Sequence, residues 1–321
     1  MEAESHHESG LIDESPAASG ECSVKELSTS IILLTYRRDD ATEENVARLE
    51  PLIRDRSSVE VILVDNNADG VDRHHLIAAL PRAKLVTAPL NAGVAGGRNL
   101  GVKAASGDIL LFIDDDALIY PDDFIERITA AFAADAMLGI QAFKSVNFFT
   151  NKMLDSEFPH SDKTKPADEP FLTFRFIGVA HSIRREVFER TGLYYDDFFY
   201  ACEEFDLSYR AIKEGYKILY NPAVWVLHKH DSRGRLTAPE VWERVLANKL
   251  KVGYLHLPHL TRIANLLAWS GYALMKSRGK ANILRAHRSF GEWRALHRQD
   301  RRPLDARARA YVTACGGQLW K

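Results

Sequence analysis

The sequence has 321 residues, of which 46% are hydrophobic and 27% are charged, and its formal net charge is −2. The length suits one large domain or two, and the composition excludes a wholly disordered chain, a collagen-like fibre and a disulfide-framed miniprotein. The three cysteines, Cys22, Cys202 and Cys315, lie far apart, which argues against a zinc knuckle or disulfide scaffold and indicates a reducing, cytoplasmic compartment. We find neither a secretory signal nor an apolar run of about 18 residues, so no membrane-spanning helix is expected.

Charge is distributed unevenly along the chain. Residues 239–321 carry 16 Lys and Arg against 5 Asp and Glu, a net +11, whereas the preceding residues carry 26 and 39, a net −13. Residues 1–27 are acidic and lack apolar periodicity, which predicts a disordered leader. The basic tail indicates either solvated helix faces or contact with an anionic surface, such as lipid headgroups at the inner face of the membrane or a phosphorylated acceptor. Nucleic acid is not an expected partner, because the acidic remainder would repel phosphate.

Strands and helices alternate in the first half of the chain. Short apolar runs predict buried strands at 31–35, 59–64, 84–87 and 108–113, and helical spacing predicts helices at 41–55, 72–80 and 94–105. This alternation is typical of an open parallel α/β sheet, in which ligands bind beyond the carboxyl ends of the strands. Polar clusters at 35–40, 65–70 and 114–116 follow three of these strands.

The second half has a different pattern. We predict a helix beginning at Pro121, a polar loop over 144–170, a strand over 171–183 and helices over 184–190 and 203–214. Two further strands are predicted at 217–220 and 223–228, and three or four helices beyond Pro239. We therefore divide the chain into a leader (1–27), an α/β domain (28–236) and a basic helical extension (237–321).

Four groups of residues have candidate chemistry. Three adjacent carboxylates, Asp114 to Asp116, are typical of a Mg²⁺ or Mn²⁺ site, or else of a solvated turn. The acids at 203–206 open a helix, where they either cap it or supply a general base. A strand-end histidine, His228, is either a metal ligand or structural. The glycines of 91–99 open a helix that favours anions, but they match neither a dinucleotide fingerprint nor a P-loop.

Seven motifs occur in order: TYRR (35–38), VDNNADG, NAGVAGGRN, LLFIDDDA, FIGVAHSIRREVFERTG, FFYACEEFDLSYR and VWVLH. Together they resemble the inverting nucleotide-sugar glycosyltransferases of family 2, and among them the rhamnosyltransferase-like bacterial members, over about residues 30–232. The resemblance implies the GT-A fold: a Rossmann-like, mostly parallel central sheet with helices on both faces, here followed by the helical extension. It also implies a nucleotide-binding half (28–140) and an acceptor and catalytic half (141–236).

The resemblance assigns binding roles by position. It implies that Asp65 accepts a hydrogen bond from N3–H of uracil or thymine, and hence a UDP- or dTDP-sugar donor. A divalent cation, Mg²⁺ or Mn²⁺, is implied at Asp116 and His228, and a sugar or acceptor site at Gly178 and His181. The other implied donor-binding residues are Thr35, Tyr36, Arg37, Asn67, Gly93, Arg98, Asp114 and Asp115.

The implied reaction is a single displacement on the donor sugar. Glu204 occupies the position of the family's catalytic aspartate, and Glu203 and Asp206 are rival bases. The acceptor is a hydroxyl of a glycan, a lipid-linked saccharide or a natural product. Two alternatives stay open: a non-catalytic sugar-nucleotide-binding protein, and a sugar-nucleotide pyrophosphorylase. The second would need a glycine-rich loop after the first strand, and residues 33–38 contain no glycine.

The extension has its own apolar pattern. Leucines, tryptophans and other apolar residues recur at helical spacing from Trp242 to Leu274 around Pro258, interrupted by Arg and Lys. This pattern indicates packing onto the catalytic domain or a homodimer interface. The alternative is an amphipathic element that lies on a membrane surface.

Overall fold

The computed structural model describes residues 26–319. The leader predicted at 1–27 therefore lies outside the described residues, except for its last two positions, and so does Cys22. Cys202 and Cys315 are both free and buried.

Nine strands form one sheet in the described part of the chain, in the order β3-β2-β1-β4-β8-β6-β9-β5, with β7 paired to β9. The strands are β1 (Thr29–Thr35), β2 (Val59–Asp65), β3 (Ala83–Thr87), β4 (Ile109–Asp114), β5 (Ala117–Tyr120), β6 (Leu138–Asn147), β7 (Phe171–Thr173), β8 (Ala180–Arg184) and β9 (Lys217–His228).

The first four strands pair in parallel, as their alternation with helices predicts. Beyond β4 the sheet is mixed, because β8 runs antiparallel to both β4 and β6, and β5 and β7 run antiparallel to β9. The predicted parallel arrangement thus describes the first half of the sheet. In the second half, parallel and antiparallel strand pairs occur together.

The helices are α1 (Asp39–Ile53), α2 (Gly93–Ala104), α3 (Phe124–Ala134), α4 (Arg185–Thr191), α5 (Glu203–Lys213), α6 (Ala238–His256), α7 (His259–Lys276), α8 (Ile283–Leu296) and α9 (Ala306–Ala314). Successive residues of β1 face opposite sides of the sheet, so Ile32 belongs to one hydrophobic core and Ile31 and Leu33 to the other. The core around Ile31 contains α1 and α3, and the core around Ile32 contains α2, α4 and α5. Helices therefore cover both faces, as expected.

Several predicted boundaries were wrong. The helix predicted from Pro121 begins at Phe124, because residues 117–120 form β5 against β9. The segment predicted as a loop from 144 begins inside β6, and the strand predicted over 171–183 is two strands separated by a turn. The helix predicted at 72–80 is a single 3-10 turn, His74–Ile77. The strands predicted at 217–220 and 223–228 form one strand, β9, whose pairing with β6 is irregular near Phe143.

The C-terminal helices pack directly on the sheet domain. Leu304, Ala308 and Val312 belong to the same hydrophobic core as Phe174 and Leu207. Helices α6, α7 and α8 form a smaller core of their own around Leu250, Ala273 and Trp293. No helix within residues 26–319 combines the length and hydrophobicity that crossing a bilayer would require.

Candidate functional site

A cleft of about 430 Å³ opens at the carboxyl ends of β1, β2 and β4. In parallel sheets the loops that follow the strands meet at this edge, which is where open α/β sheets bind ligands. The polar residues of its wall include Tyr36, Arg38, Asn66, Arg98, Asp114, Asp115, Asp116, Glu157, Glu203, Glu204, His228 and Arg235, and the glycines Gly93 and Gly178 also line it.

Asp115 is held by the segment that follows β1. Its carboxylate accepts hydrogen bonds from the Tyr36 backbone N–H (3.1 Å) and from Arg38 (2.6 Å). Burial raises the pKa of Asp115 to about 7, although the positive charge of Arg38 opposes this rise. The sequence analysis did not assign a role to Arg38; its contacts with Asp115 and Asp116 (3.3 Å) need the folded loop.

Asp116 lies beside His228 because β5, which follows Asp116, pairs with β9. This pairing sets Ala117 opposite His228, and Asp116 Oδ1 lies 3.4 Å from His228 Nε2. The other ring nitrogen of His228 is 2.9 Å from Glu157 Oε1. Burial disfavours protonation of His228, but its contacts with Asp116 and Glu157 outweigh this and raise its pKa to about 9. Burial likewise opposes ionisation of Asp116, but His228, Arg38 and Arg235 keep its pKa below the usual range.

These side chains fit a divalent cation. Asp116 Oδ1 is buried, and apart from its 3.4 Å contact with His228 Nε2 it has no hydrogen-bond partner among the described residues. One ligand atom each of Glu157, His228 and His230 lies within 4.8 Å of the others. Carboxylate and imidazole ligands suit Mn²⁺ and, through the carboxylates, Mg²⁺. The sequence analysis missed Glu157, since residues 144–170 lack a recognisable motif, and it assigned no role to His230, although this residue lies two positions after His228.

Arg98 organises the opposite wall. It is buried and donates to Glu203 (3.0 Å), to Asp114 (3.2 Å) and to the Gly178 carbonyl (2.8 Å). Burial and the negative charge of Glu204 raise the pKa of Glu203 to about 8, against the opposing charge of Arg98. Arg98 thereby ties α2, β4 and the start of α5 together across the cleft.

The structure separates the three rival bases. Glu204 lines the cleft, is partly exposed, and forms no hydrogen bond or ion pair with a residue in the described range. A Cβ atom at Gly178 would come within 2.5 Å of Glu204 Oε1, so a glycine there leaves room for this carboxylate. Asp206 lies away from the cleft, where it binds Arg210 (2.6 Å) and His256 (2.8 Å). Glu203 is the partner of Arg98.

A tight loop precedes these glutamates. Phe199, Ala201 and Cys202 all have positive φ angles, between 53° and 70°. A Cβ atom at Gly93 would collide with the Phe199 carbonyl oxygen, so this loop is packed directly against the start of α2. From the C-terminal extension, Asn248 Nδ2 lies 2.8–2.9 Å from the carbonyl oxygens of Phe198, Tyr200 and Ala201.

Besides Asp206, five predicted site residues are not on the cleft wall. Thr35 is buried and its hydroxyl is bonded to that of Thr42 (2.8 Å). Arg37 is directed to the surface. His181 is fully buried between the rings of Phe112 and Phe176. The other two are Asp65 and Asn67.

Asp65 and Asn67 lie just behind the wall at the end of β2. Asp65 is 1% exposed, accepts two hydrogen bonds from Asn67 on Oδ1, and accepts one from Arg73 on Oδ2 (3.1 Å). Asn66, which the sequence analysis did not single out, lines the cleft instead.

Known proteins share segments of this sequence. A pre-mycofactocin glycosyltransferase of Mycobacterium tuberculosis is 25% identical over 199 residues, which cover 60% of this chain and 42% of that protein. The succinoglycan biosynthesis protein ExoO of Rhizobium meliloti is 35% identical over 92 residues, which cover 28% of this chain and 26% of that protein. An uncharacterized Haemophilus influenzae protein is 40% identical over 103 residues, which cover 32% of this chain and 56% of that protein. The chain thus spans about a quarter to a little over half of the length of these relatives.

Solved structures share the fold. GalNAc-T7 with UDP, GalNAc and Mn²⁺ superposes with a TM-score of 0.59 at 15% identity, covering 85% of this chain and 55% of that one. Staphylococcus aureus TarS 1-349 with UDP-GlcNAc gives 0.55 at 16% identity (92% and 90%). The Pyrobaculum calidifontis mannosyltransferase PcManGT with GDP-Man and Mn²⁺ gives 0.54 at 18% identity (90% and 84%). These likenesses establish the GT-A fold.

The family follows from the sequence itself. The model of glycosyl transferase family 2 matches residues 30–192, which is half of the chain and contains the segment from β1 to α4. That segment supplies the cleft's carboxylates Asp114 to Asp116 together with Arg98 and Gly178. The chain belongs to glycosyl transferase family 2.

Proposed function

We propose that this chain transfers a sugar from a UDP- or dTDP-sugar to a hydroxyl group of a glycan, lipid-linked saccharide or natural product, with inversion at the anomeric carbon. The observation that carries the proposal is the Glu204 carboxylate, which faces the cleft and has no hydrogen-bond partner among the described residues. A carboxylate so placed is free to accept a proton from a bound hydroxyl. The free, buried Cys202 and Cys315 support a reducing, cytoplasmic setting.

The displacement uses groups on both walls. Glu204 takes the proton of the acceptor hydroxyl while that oxygen attacks C1 of the sugar, and the bond from C1 to the diphosphate breaks on the opposite face. Glu203 accepts a hydrogen bond from Arg98, and burial raises its pKa to about 8, so that Glu204 does not face a second charged carboxylate near neutral pH. Arg38 and Arg235, both near Asp116, add positive charge where the diphosphate would lie. A Mg²⁺ or Mn²⁺ ion held by Asp116 and His228 would stabilise the charge of the leaving diphosphate.

The preference for a pyrimidine base depends on Asp65. A carboxylate offers about four acceptor positions. Asn67 uses two on Oδ1 and Arg73 uses one on Oδ2, which leaves one on Oδ2 for N3–H of uracil or thymine. Tyr36 and Gly93, unlike Asp65, line the cleft itself and complete the nucleotide site. Thr35 and Asn67 support that site from behind, and the Arg37 backbone N–H donates to Asn67 Oδ1 (2.7 Å). His181 supports Gly178, whose carbonyl lies 3.1 Å from its Nδ1.

Donor hydrolysis by the purified protein tests the proposal. We would screen UDP-, dTDP- and GDP-sugars with Mn²⁺ or Mg²⁺ and measure the nucleoside diphosphate released. We expect turnover of a pyrimidine donor, its loss after chelation, and its recovery when the metal is added back. Turnover of a GDP-sugar alone would contradict the assignment of Asp65. Binding of UDP without turnover of any donor, even with candidate acceptors, would favour the non-catalytic binding protein.

Two matched variants identify the base. Glu204→Gln should lower the rate by on the order of 10²–10⁴ and leave UDP binding intact. Asp206→Asn, measured per UDP-binding site, should keep most of its activity because Asp206 faces away from the cleft. Equal activity of Glu204→Gln and the unsubstituted protein would refute the proposed role of Glu204.

A further inference from the structure

Helix α7 carries an exposed apolar face. Leu260 is 81% exposed, Leu267 66% and Met275 63%, and Ile263 and Leu274 are about half exposed. These five residues, which we call the apolar face of α7, are spaced so that they lie on one side of the helix. Gly271 lies on the same side, where a Cβ atom would meet nothing within 4 Å. Large apolar side chains that are exposed together mark an interaction surface, whereas single exposed apolar residues are common on any protein.

The opposite side of α7 packs on the protein. Asn265 and Ala273 are buried, and Ala273 and Trp269 belong to the small core formed with α6 and α8. The apolar face is therefore directed outward by a fixed helix. The segment from Ile263 to Met275 contains no charged residue. Since α7 cannot span a bilayer, such a face suits a helix that lies in the plane of a membrane surface.

Positive charge borders this face. Lys276, Arg278 and Lys280, directly after it, are all exposed, and none forms an ion pair with a residue in the described range. Arg285 and Arg288 are also exposed on the adjacent α8, but they are paired with Glu243 (3.9 Å) and Glu292 (3.0 Å) and do not count among the unpaired cations. Unpaired cations beside an apolar stripe attract anionic headgroups, and each one near such a surface adds to the binding free energy.

The charge favours a lipid surface over a second copy of the chain. Helix α7 contains no Asp or Glu, and the unpaired cations Lys276, Arg278 and Lys280 are at or just beyond its C-terminal end. Parallel pairing of two copies through this face would bring these cations together, and antiparallel pairing would offer them no carboxylate from α7. We propose that the apolar face of α7 and its basic border form a docking surface for an anionic lipid bilayer.

Vesicle flotation of the full chain tests this surface and does not depend on the proposed function. The probes are phosphatidylcholine vesicles with and without about one third phosphatidylglycerol. We expect the chain to float with the anionic vesicles only. Leu267→Glu with Met275→Glu should weaken flotation by about 10-fold or more. Lys276→Gln, Arg278→Gln and Lys280→Gln together should weaken it on the order of 100-fold.

A control variant carries the same two new charges elsewhere. Ala130→Glu with Ala133→Glu alters exposed positions of α3 and should float like the unsubstituted chain. Circular dichroism checks that every variant is folded. Failure of the unsubstituted chain to float, or equal flotation of the α7 double variant, would overturn the proposal. A dimer seen by sedimentation that Leu267→Glu with Met275→Glu dissociates, without vesicle binding, would assign the face to a second copy instead.

Discussion

Glu203 and Glu204 are neighbours in the chain with opposite surroundings. Helix α5 directs the Glu203 side chain to buried Arg98 and leaves the Glu204 side chain at the cleft. One oxygen of Glu203 accepts a hydrogen bond from Arg98, while the other, Oε2, is buried with no partner among the described residues. A buried carboxylate with one unpaired oxygen holds its proton more tightly, so the two glutamates are suited to different roles.

This difference predicts a pH-dependent stability. Burial and the nearby Glu204 raise the pKa of Glu203 from 4.5 to about 8. Between these values the folded protein holds a proton that the unfolded chain releases, so the free energy of unfolding falls as the pH rises through this window. A glutamine at this position cannot titrate, so Glu203→Gln removes the fall in the free energy of unfolding with rising pH. The variant should therefore gain thermal stability relative to the unsubstituted protein between about pH 5 and about pH 8.

Thermal unfolding of both proteins at several pH values measures this effect. Glu189→Gln, a change at an exposed position of α4, serves as the control and should follow the unsubstituted protein at every pH. A constant difference between Glu203→Gln and the unsubstituted protein across the range would show that Glu203 is ionised in the folded state throughout.

At the scale of single residues, the sequence predicted the cleft better than the contacts within it. Asp116, Glu204 and Arg98 could be placed because each follows or begins an element whose position the pattern sets. The contacts of Asp65 could not be predicted. Its partner Arg73 directly precedes a 3-10 turn, in a segment for which the sequence predicted a helix. His181 occupies an inward position of β8, and its stacking on Phe112 depends on the antiparallel register of β4 and β8.

At the scale of elements, α6 holds the loop that precedes the two glutamates. Three residues of that loop have positive φ angles, a conformation that costs free energy at each position and persists only when the surroundings enforce it. Asn248 contacts three of its carbonyl groups, and Lys251 Nζ donates to the Asp197 carbonyl (2.6 Å). The extension therefore supports the position of Glu204, although it lies outside the segment that the family model matches.

Asn248→Ala tests this support. The change leaves buried carbonyl groups without a donor, which should lower stability by about 1–3 kcal/mol. Because the loop would also move, donor turnover should fall more than UDP affinity. Asn282→Ala is the matched control: it removes the N-cap of α8, which accepts from the Arg285 N–H (2.9 Å), at a comparable cost of about 1 kcal/mol. If both variants lost turnover equally, general destabilisation would explain the result and the positioning role of Asn248 would be wrong.

The sequence predicted the elements of the first half more accurately than those of the second. Parallel strands buried on both faces give continuous apolar runs, so β1, β2 and β4 are visible as such. Strand β5 has only four residues and is defined by its pairing with β9, a contact between residues more than 100 positions apart. This distant pairing also brings Asp116 to His228. The candidate cation site could be proposed from a family resemblance, but the presence of Glu157 and His230 beside it could not.

At the scale of the whole molecule, the last helix closes the core of the sheet domain. Leu304 is 1% exposed and Val312 fully buried, and both pack in the core that contains α2 and α5. Tyr311 Oη accepts from the Ile218 N–H (3.0 Å) and donates to the Thr173 carbonyl (3.1 Å), so α9 also binds β9 and β7. The cleft and the extension are thereby coupled through one continuous set of contacts.

This coupling predicts that damage to α9 or to the segment just before it, which contains Leu304, destabilises the nucleotide site. Leu304→Ala removes a fully packed side chain and should cost about 2–5 kcal/mol. Loss of UDP binding and loss of helical circular dichroism should then occur at the same, lower urea concentration, because the domain and the extension unfold together. Leu296→Ala makes the same change at a position 84% exposed and should alter stability by no more than about 0.5 kcal/mol. Separate transitions in Leu304→Ala, with UDP binding kept after the helical signal falls, would mean that residues 28–236 fold without the extension.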